Sequence, residues 1–149
     1  MQTIITSDIS RLELHDSSFE NIIRHNQELE LVFDWAKFAN FIENNISEAI
    51  IIGKTIMRLT GVSLEEFRLY SNKEKYTVIP FPDEFSKNLI SSNEIDDTNK
   101  TIRINGLFRK NKNEMYDWVE WSFSFDTCEI SWTSHVTRTE WLNGTLPND

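Results

Sequence analysis

The sequence predicts a mainly-β fold, an antiparallel β-sandwich or flattened barrel of about eight or nine strands with one short helix, in a single domain spanning residues 1–149. Three observations carry that prediction. Residues 101–136 read as a β-meander with one face of large apolar side chains. Residues 29–35 alternate strictly, with Leu29, Leu31, Phe33 and Trp35 against polar or smaller neighbours. Residues 48–59 form an isoleucine-rich run interrupted by Gly53. That many strands in a chain of this length curl or split into two layers rather than staying as one open sheet.

From the N-terminus, residues 11–14 alternate briefly and His15-Asp16-Ser17-Ser18 breaks the pattern. Asp and Ser side chains bond nearby backbone amides where a chain reverses, so this is a turn between two strands. A hairpin follows over residues 19–35. With its loop at Asn26-Gln27-Glu28, Ile23 is expected opposite Leu31, Phe19 opposite Trp35, and Arg24 paired with Glu30.

Residues 38–46 have no clean period and suit a loop or helical turn. The isoleucine run is expected to be a buried strand with a bulge at Gly53, because glycine is the poorest ordinary helix former. Ser63-Leu64-Glu65-Glu66 has capping-box spacing, yet Phe67-Arg68-Leu69-Tyr70 alternates, so helical turn and strand both stand. Tyr76 to Ile79 is a strand ended by Pro80-Phe81-Pro82. Asp83 is placed as the cap of a short helix reaching about Ile90. The polar residues 91–100 are expected to be an exposed loop.

In the meander, a turn centred on Asn111-Lys112 sets Ile102 opposite Trp121, Ile104 opposite Val119 and Phe108 opposite Met115. On the other face Arg103 meets Glu120 and Arg109 meets Glu114. A tight turn at Asp126-Thr127 then brings Phe125 against Cys128, Phe123 against Ile130 and Trp121 against Trp132. The expected core face is Ile102, Ile104, Phe108, Val119, Trp121, Phe123, Phe125, Ile130 and Trp132.

Composition limits the function. Ten Phe and five Trp in 149 residues supply a core without a metal or disulfide staple. Cys128 is the only cysteine and reads as a small buried hydrophobe. A net charge of −9 argues against nucleic acid as a ligand and favours a basic protein partner or none, solubility alone being the competing explanation of the acidic balance. The first residues lack a basic, apolar leader pattern, and the longest apolar run, residues 49–52, is too short to cross a bilayer; no membrane association and a cytoplasmic location are the expectation.

No P-loop, dinucleotide fingerprint, nucleophile elbow or paired-cysteine motif is present, so no cofactor is expected. His15-Asp16 has the composition of a proton-transfer pair, and His15, His25 and His135 would make three zinc ligands. Their spacing matches neither use, and neither a catalytic residue nor a metal site is assigned. The adjacent acids Glu65-Glu66 and Asp96-Asp97 read as solvated charges.

The polar face of the meander carries one anomaly: Leu107, Tyr116, Trp118 and His135, with Asn105 beside Trp118, fall together on it. Such residues make a binding hot spot, in which rings supply area and polar tips supply direction. The competing reading is packing beneath another segment, either the helix after Asp83 or the stretch holding Trp141 and Leu142.

Leu14-His15-Asp16-Ser17, then Phe19 and a hairpin ending in Leu29-Glu30-Leu31-Val32-Phe33, resembles the opening of small bacterial cytosolic all-β proteins with an L-H-D-[SA] start, some grouped with toxin-immunity proteins. The resemblance covers residues 14–35. It implies a non-catalytic protein-binding domain, an immunity-type inhibitor of a basic toxin. Two further readings are a carbohydrate or small-ligand module that stacks ligand on Tyr116 and Trp118, and a hydrolase with dispersed His, Asp and Glu. A strand at a sheet edge also offers a route to a homodimer.

Overall fold

The computed structural model describes residues 2–82 and 87–149. The chain is mainly β, with fourteen strands and one short α-helix among those residues. The strands are β1 (Thr3–Ile5), β2 (Leu12–Glu13), β3 (Phe19–His25), β4 (Glu28–Phe33), β5 (Ala36–Phe38), β6 (Ile50–Ile52) and β7 (Thr55–Thr60), followed by β8 (Ser63–Tyr70), β9 (Tyr76–Ile79), β10 (Lys87–Asp96), β11 (Thr101–Arg109), β12 (Asp117–Ser124), β13 (Thr127–Trp132) and β14 (His135–Thr137). Helix α1 (Arg138–Leu142) is closed by a capping box between Thr137 and Glu140. The number of strands exceeds the expected eight or nine because several are pieces of two or three residues.

Among the described residues three antiparallel sheets form, in the orders β1-β13-β7-β4-β3, β10-β11-β12-β8-β9 and β14-β6-β5-β2. The two five-stranded sheets pack face to face as a sandwich. Phe19 of β3 lies 5.9 Å from both Phe108 and Trp121 of the opposite layer. The four-stranded sheet closes one end of this core, where Phe38 meets Trp132 at 5.7 Å. All nine side chains expected on the core face are buried.

The pairing of the meander differs from expectation in two ways. First, β11 and β12 pair with Ile102 opposite Phe123, Ile104 opposite Trp121 and Gly106 opposite Val119, two residues from the expected register. A slip of two keeps every side chain on its face, which is why the core residues come out right although the partners do not. The connection spans residues 110–116 instead of a tight turn. Met115 is therefore exposed rather than facing Phe108, and Arg109 stacks on Tyr116 at 4.8 Å instead of facing Glu114. Arg103 and Glu120 still touch, diagonally, at 3.7 Å.

Second, β13 does not pair with β12. It lies in the opposite layer between β1 and β7. Strands β7 and β8 pair with β13 and β12 as one long ribbon that bends from one sheet into the other, Thr60 opposite Thr127 before the corner and Ser63 opposite Ser124 after it. Gly61, at φ 63°, and the Asp126 N–H, which donates to the Thr60 carbonyl at 2.8 Å, form that corner. Buried positions change from odd to even between Phe125 and Cys128. A two-residue hairpin and a crossing to the other layer both produce that change.

The first hairpin turns over Asn26-Gln27, with Asn26 at φ 56° and His25 opposite Glu28. One loop residue fewer than expected moves the register by one. Ile22 faces Leu31, Ile23 is exposed opposite Glu30, Phe19 faces Phe33 rather than Trp35, and Arg24 pairs with Glu65 at 2.6 Å rather than with Glu30. A bulge separates Phe19 from Asn21. At Gly53 the isoleucine run breaks into β6 and β7, which belong to different sheets, so the glycine marks a sheet change and not a bulge. Residues 63–70 take the strand alternative.

Of the helix expected over residues 83–90, positions 83–86 lie outside the described residues, while 87–90 open strand β10, which runs on to Asp96, so that of the segment 91–100 expected as a loop only 97–100 is a turn. Ile90 and Ile95 are both buried although five positions apart, because a bulge between Ile90 and Ser92 resets the alternation. That reset hid the strand's period. Gly106 packs under this bulge: a Cβ there would lie 2.4 Å from the Leu89 carbonyl oxygen.

The L-H-D-S segment lies along β10. Leu14 is buried, Asp16 turns the chain at φ 68°, and the Asp16 N–H donates to the Ile90 carbonyl at 2.9 Å. The Ile90 N–H returns a bond to the Ser17 carbonyl at 2.8 Å, and the His15 ring nitrogen Nδ1 lies 2.6 Å from the Ser91 carbonyl. Cys128 is buried, and loss of water pushes its thiol up to about 12.

Candidate functional site

Antiparallel pairing puts directly opposite residues on the same face of a sheet. Across the outer face of the sheet β10-β11-β12-β8-β9, the register sets Leu89 opposite Leu107, Leu107 opposite Trp118, Trp118 opposite Tyr70 and Tyr70 opposite Tyr76. One apolar and aromatic row therefore crosses all five strands, a span of about 19 Å at the usual strand spacing. Leu89, Leu107, Trp118 and Tyr76 are between 38 and 47% exposed. Tyr70 and Tyr76 hold each other at a ring separation of 5.4 Å.

Charged side chains pin this row. Arg68 lies over the Tyr76 ring at 4.6 Å and donates to Glu66 at 2.9 Å, and the Tyr70 hydroxyl donates to Glu120 at 3.3 Å. The bond from Arg68 holds the Glu66 carboxyl below its usual range, and Glu66 in turn raises Arg68. Glu120 also meets Arg103, which reaches Glu94 at 3.6 Å. The chain Glu66–Arg68–Glu120–Arg103–Glu94 leaves three carboxylates against two guanidiniums along one side of the row. Lys87 and Arg109, opposite one another, flank its other side.

Of the residues read from the sequence as a site, Leu107 and Trp118 fall in the row and Tyr116 sits at its margin, exposed beneath Arg109. Asn105 is one step along, opposite Glu120, and donates to Ser92 at 3.2 Å. His135 does not belong to the patch. It lies on β14 in the four-stranded sheet, where its Nδ1 accepts the Trp132 indole N–H at 3.1 Å and Phe41 packs on its ring at 5.3 Å. The corner at residues 125–127 carries this part of the chain into a different sheet.

Tyr70, Tyr76 and Leu89 were missed. The alternation of Phe67, Arg68, Leu69 and Tyr70 signals that Tyr70 faces away from the core, but its pairing with Trp118 joins segments 48 residues apart. Neither Trp141 nor Leu142 covers the row, since α1 packs beside β14 and β6.

The histidines are dispersed. His15 and Asp16 approach to 3.4 Å on an exposed turn, His25 ends β3, and no group of three His, Cys, Asp or Glu suited to a metal ion occurs among the described residues. No helix among them is long and apolar enough to cross a membrane. Compared with protein-family models, with curated proteins and with solved structures, the chain shows no match.

Proposed function

We propose that this chain is a non-catalytic binding protein that docks a protein partner on the outer face of the sheet β10-β11-β12-β8-β9. The observation that supports it most is the continuous row from Leu89 to Tyr76. It is rich in Trp and Tyr and edged by charged side chains already held in place, which is the anatomy of an interface core with a polar rim. A large exposed apolar patch of this kind is uncommon on a protein that works alone.

The overall charge of −9 steers a basic partner; beside the row, three carboxylates and two guanidiniums on one side stand across from Lys87 and Arg109 on the other, so the steering comes from the molecule as a whole. An immunity-type inhibitor that blocks a basic toxin fits these requirements, as does the resemblance of residues 14–35. A cytoplasmic location belongs to the same proposal. The test is capture of a basic protein partner by the wild-type chain and by Trp118→Ala and Tyr76→Ala variants. Loss of capture at unchanged melting supports the reading. Unchanged capture by both variants, or concentration-dependent dimerisation through the row, overturns it.

A further inference from the structure

A concave site lies on the outer face of the four-stranded sheet. Glu13, Lys37 and Ile51 are successive cross-strand partners on β2, β5 and β6, so they share that face. Trp35 and His15 each stand two residues from a member of this set and extend it on one side. On the other side α1, which begins directly after β14, brings Arg138 and Trp141 over the sheet. These residues and Asp16 enclose a cleft of about 270 Å³.

Its chemistry is specific. The Trp35 indole is fixed by its N–H bond to the Asp16 carbonyl at 3.2 Å, and the Trp141 ring is 43% exposed. Ile51 contributes an apolar floor. The charges balance, two carboxylates (Glu13, Asp16) against two cations (Lys37, Arg138), with Glu13 and Lys37 held 3.4 Å apart and His15 and Asp16 at 3.4 Å. A net neutral cleft of this kind does not concentrate phosphate or a metal ion. It offers closely spaced donors and acceptors between two indole walls.

We infer that this cleft binds a neutral saccharide. A pyranose ring has apolar C–H faces that pack on indole and hydroxyls around its edge that both donate and accept, so paired carboxylate and ammonium groups satisfy it without a charge of its own. The volume sits just below the usual range of about 300–1,000 Å³ for drug-sized ligands and suits a small one. The cleft uses no residue of the aromatic row, so it stands or falls separately from the docking reading.

The experiment is a screen of the whole chain against an array of neutral mono- and oligosaccharides, with sialylated and sulfated glycans alongside. Hits are followed by nuclear magnetic resonance of the indole N–H signals. The expected result is binding to at least one neutral saccharide, with shifts at Trp35 and Trp141 and at least a tenfold loss of affinity in Trp141→Ala. Arg138→Gln, which leaves both indoles in place, is expected to weaken the same ligand severalfold, and Trp118→Ala to leave it unchanged. Absence of neutral-saccharide binding at millimolar concentration overturns the inference. So does binding to charged glycans alone, or binding that Trp118→Ala removes and Trp141→Ala does not.

Discussion

The side-chain amide of Asn88 brackets the backbone of Phe19: its Oδ1 accepts the Phe19 N–H at 2.7 Å and its Nδ2 donates to the Phe19 carbonyl at 3.1 Å. Asn93 repeats the arrangement five residues on, accepting the Leu14 N–H at 2.9 Å and donating to the Leu12 carbonyl at 2.9 Å. Two asparagine side chains thus do for the edge of β10 what a neighbouring strand's backbone would do, and they tie residues 12–19 to the sheet that carries the aromatic row. An exposed edge strand invites pairing with other chains, and this edge is occupied.

Replacing Asn88 with Ala leaves the Phe19 amide and carbonyl without these partners. Stability is expected to fall by roughly 2–3 kcal/mol, which for a chain of this size lowers the melting temperature by roughly 5–10 °C. Thermal denaturation followed by circular dichroism measures it. A change of less than a degree would mean that the bracket contributes nothing.

Ser17 presents the opposite case. Its hydroxyl is fully buried and has no hydrogen-bond partner among the described residues. Removing an unsatisfied buried hydroxyl recovers its desolvation cost, so Ser17→Ala is expected to leave stability unchanged or raise it by about 1 kcal/mol. Urea denaturation is the measurement, and a clear loss of stability would show that the hydroxyl is held.

Arg11 grips Glu43 with two parallel bonds of 2.8 and 2.7 Å, donates to the Asp8 and Ser7 carbonyls, and lies 4.5 Å over the Phe38 ring. The hydrogen bonds from Arg11 hold the Glu43 carboxyl below its usual range. A lowered folded pKa adds stability above the unfolded value of about 4.3, and that stability is lost as pH falls through the folded value. The melting difference between the wild type and Glu43→Gln is therefore expected to be largest near neutrality and to shrink steadily below about pH 4. A difference that stays constant down to pH 2 would remove the ion pair as its source.

Trp118 and Trp121, three positions apart on one strand, face opposite ways. Trp121 is fully buried, touches Phe19 and Phe81, and donates its indole N–H to Glu65 at 2.7 Å. Trp121→Ala is expected to cost roughly 3–5 kcal/mol. Trp118→Ala, on the outer face, is expected to cost about 1 kcal/mol or less. Equal losses in chemical denaturation would mean that the row is packing and not a docking surface.

Faces were legible where the period of two ran unbroken. Leu29, Leu31 and Phe33, and the core side of β11 and β12, are buried as their alternation requires. That alternation also placed Leu107 and Trp118 outward, so part of the aromatic row could be read directly. Where the period was interrupted the reading failed: the bulge after Ile90 concealed β10, and the corner at Asp126 looked like a hairpin. Register slipped by two in one hairpin and by one in the other, because it depends on loop length, and the loops of residues 26–27 and 110–116 carry little apolar pattern to set it.

By itself, then, the sequence determined the mainly-β class and the core side of β4, β11 and β12, because these follow from side-chain periodicity within a strand. Tertiary structure decided the rest. It placed β13 and His135 away from β12, assembled Leu89, Leu107, Trp118, Tyr70 and Tyr76 from five strands, and set Trp141 across the sheet from Trp35. Contacts between segments tens of residues apart arise from how the sheets bend and stack, and no local pattern in the chain records them.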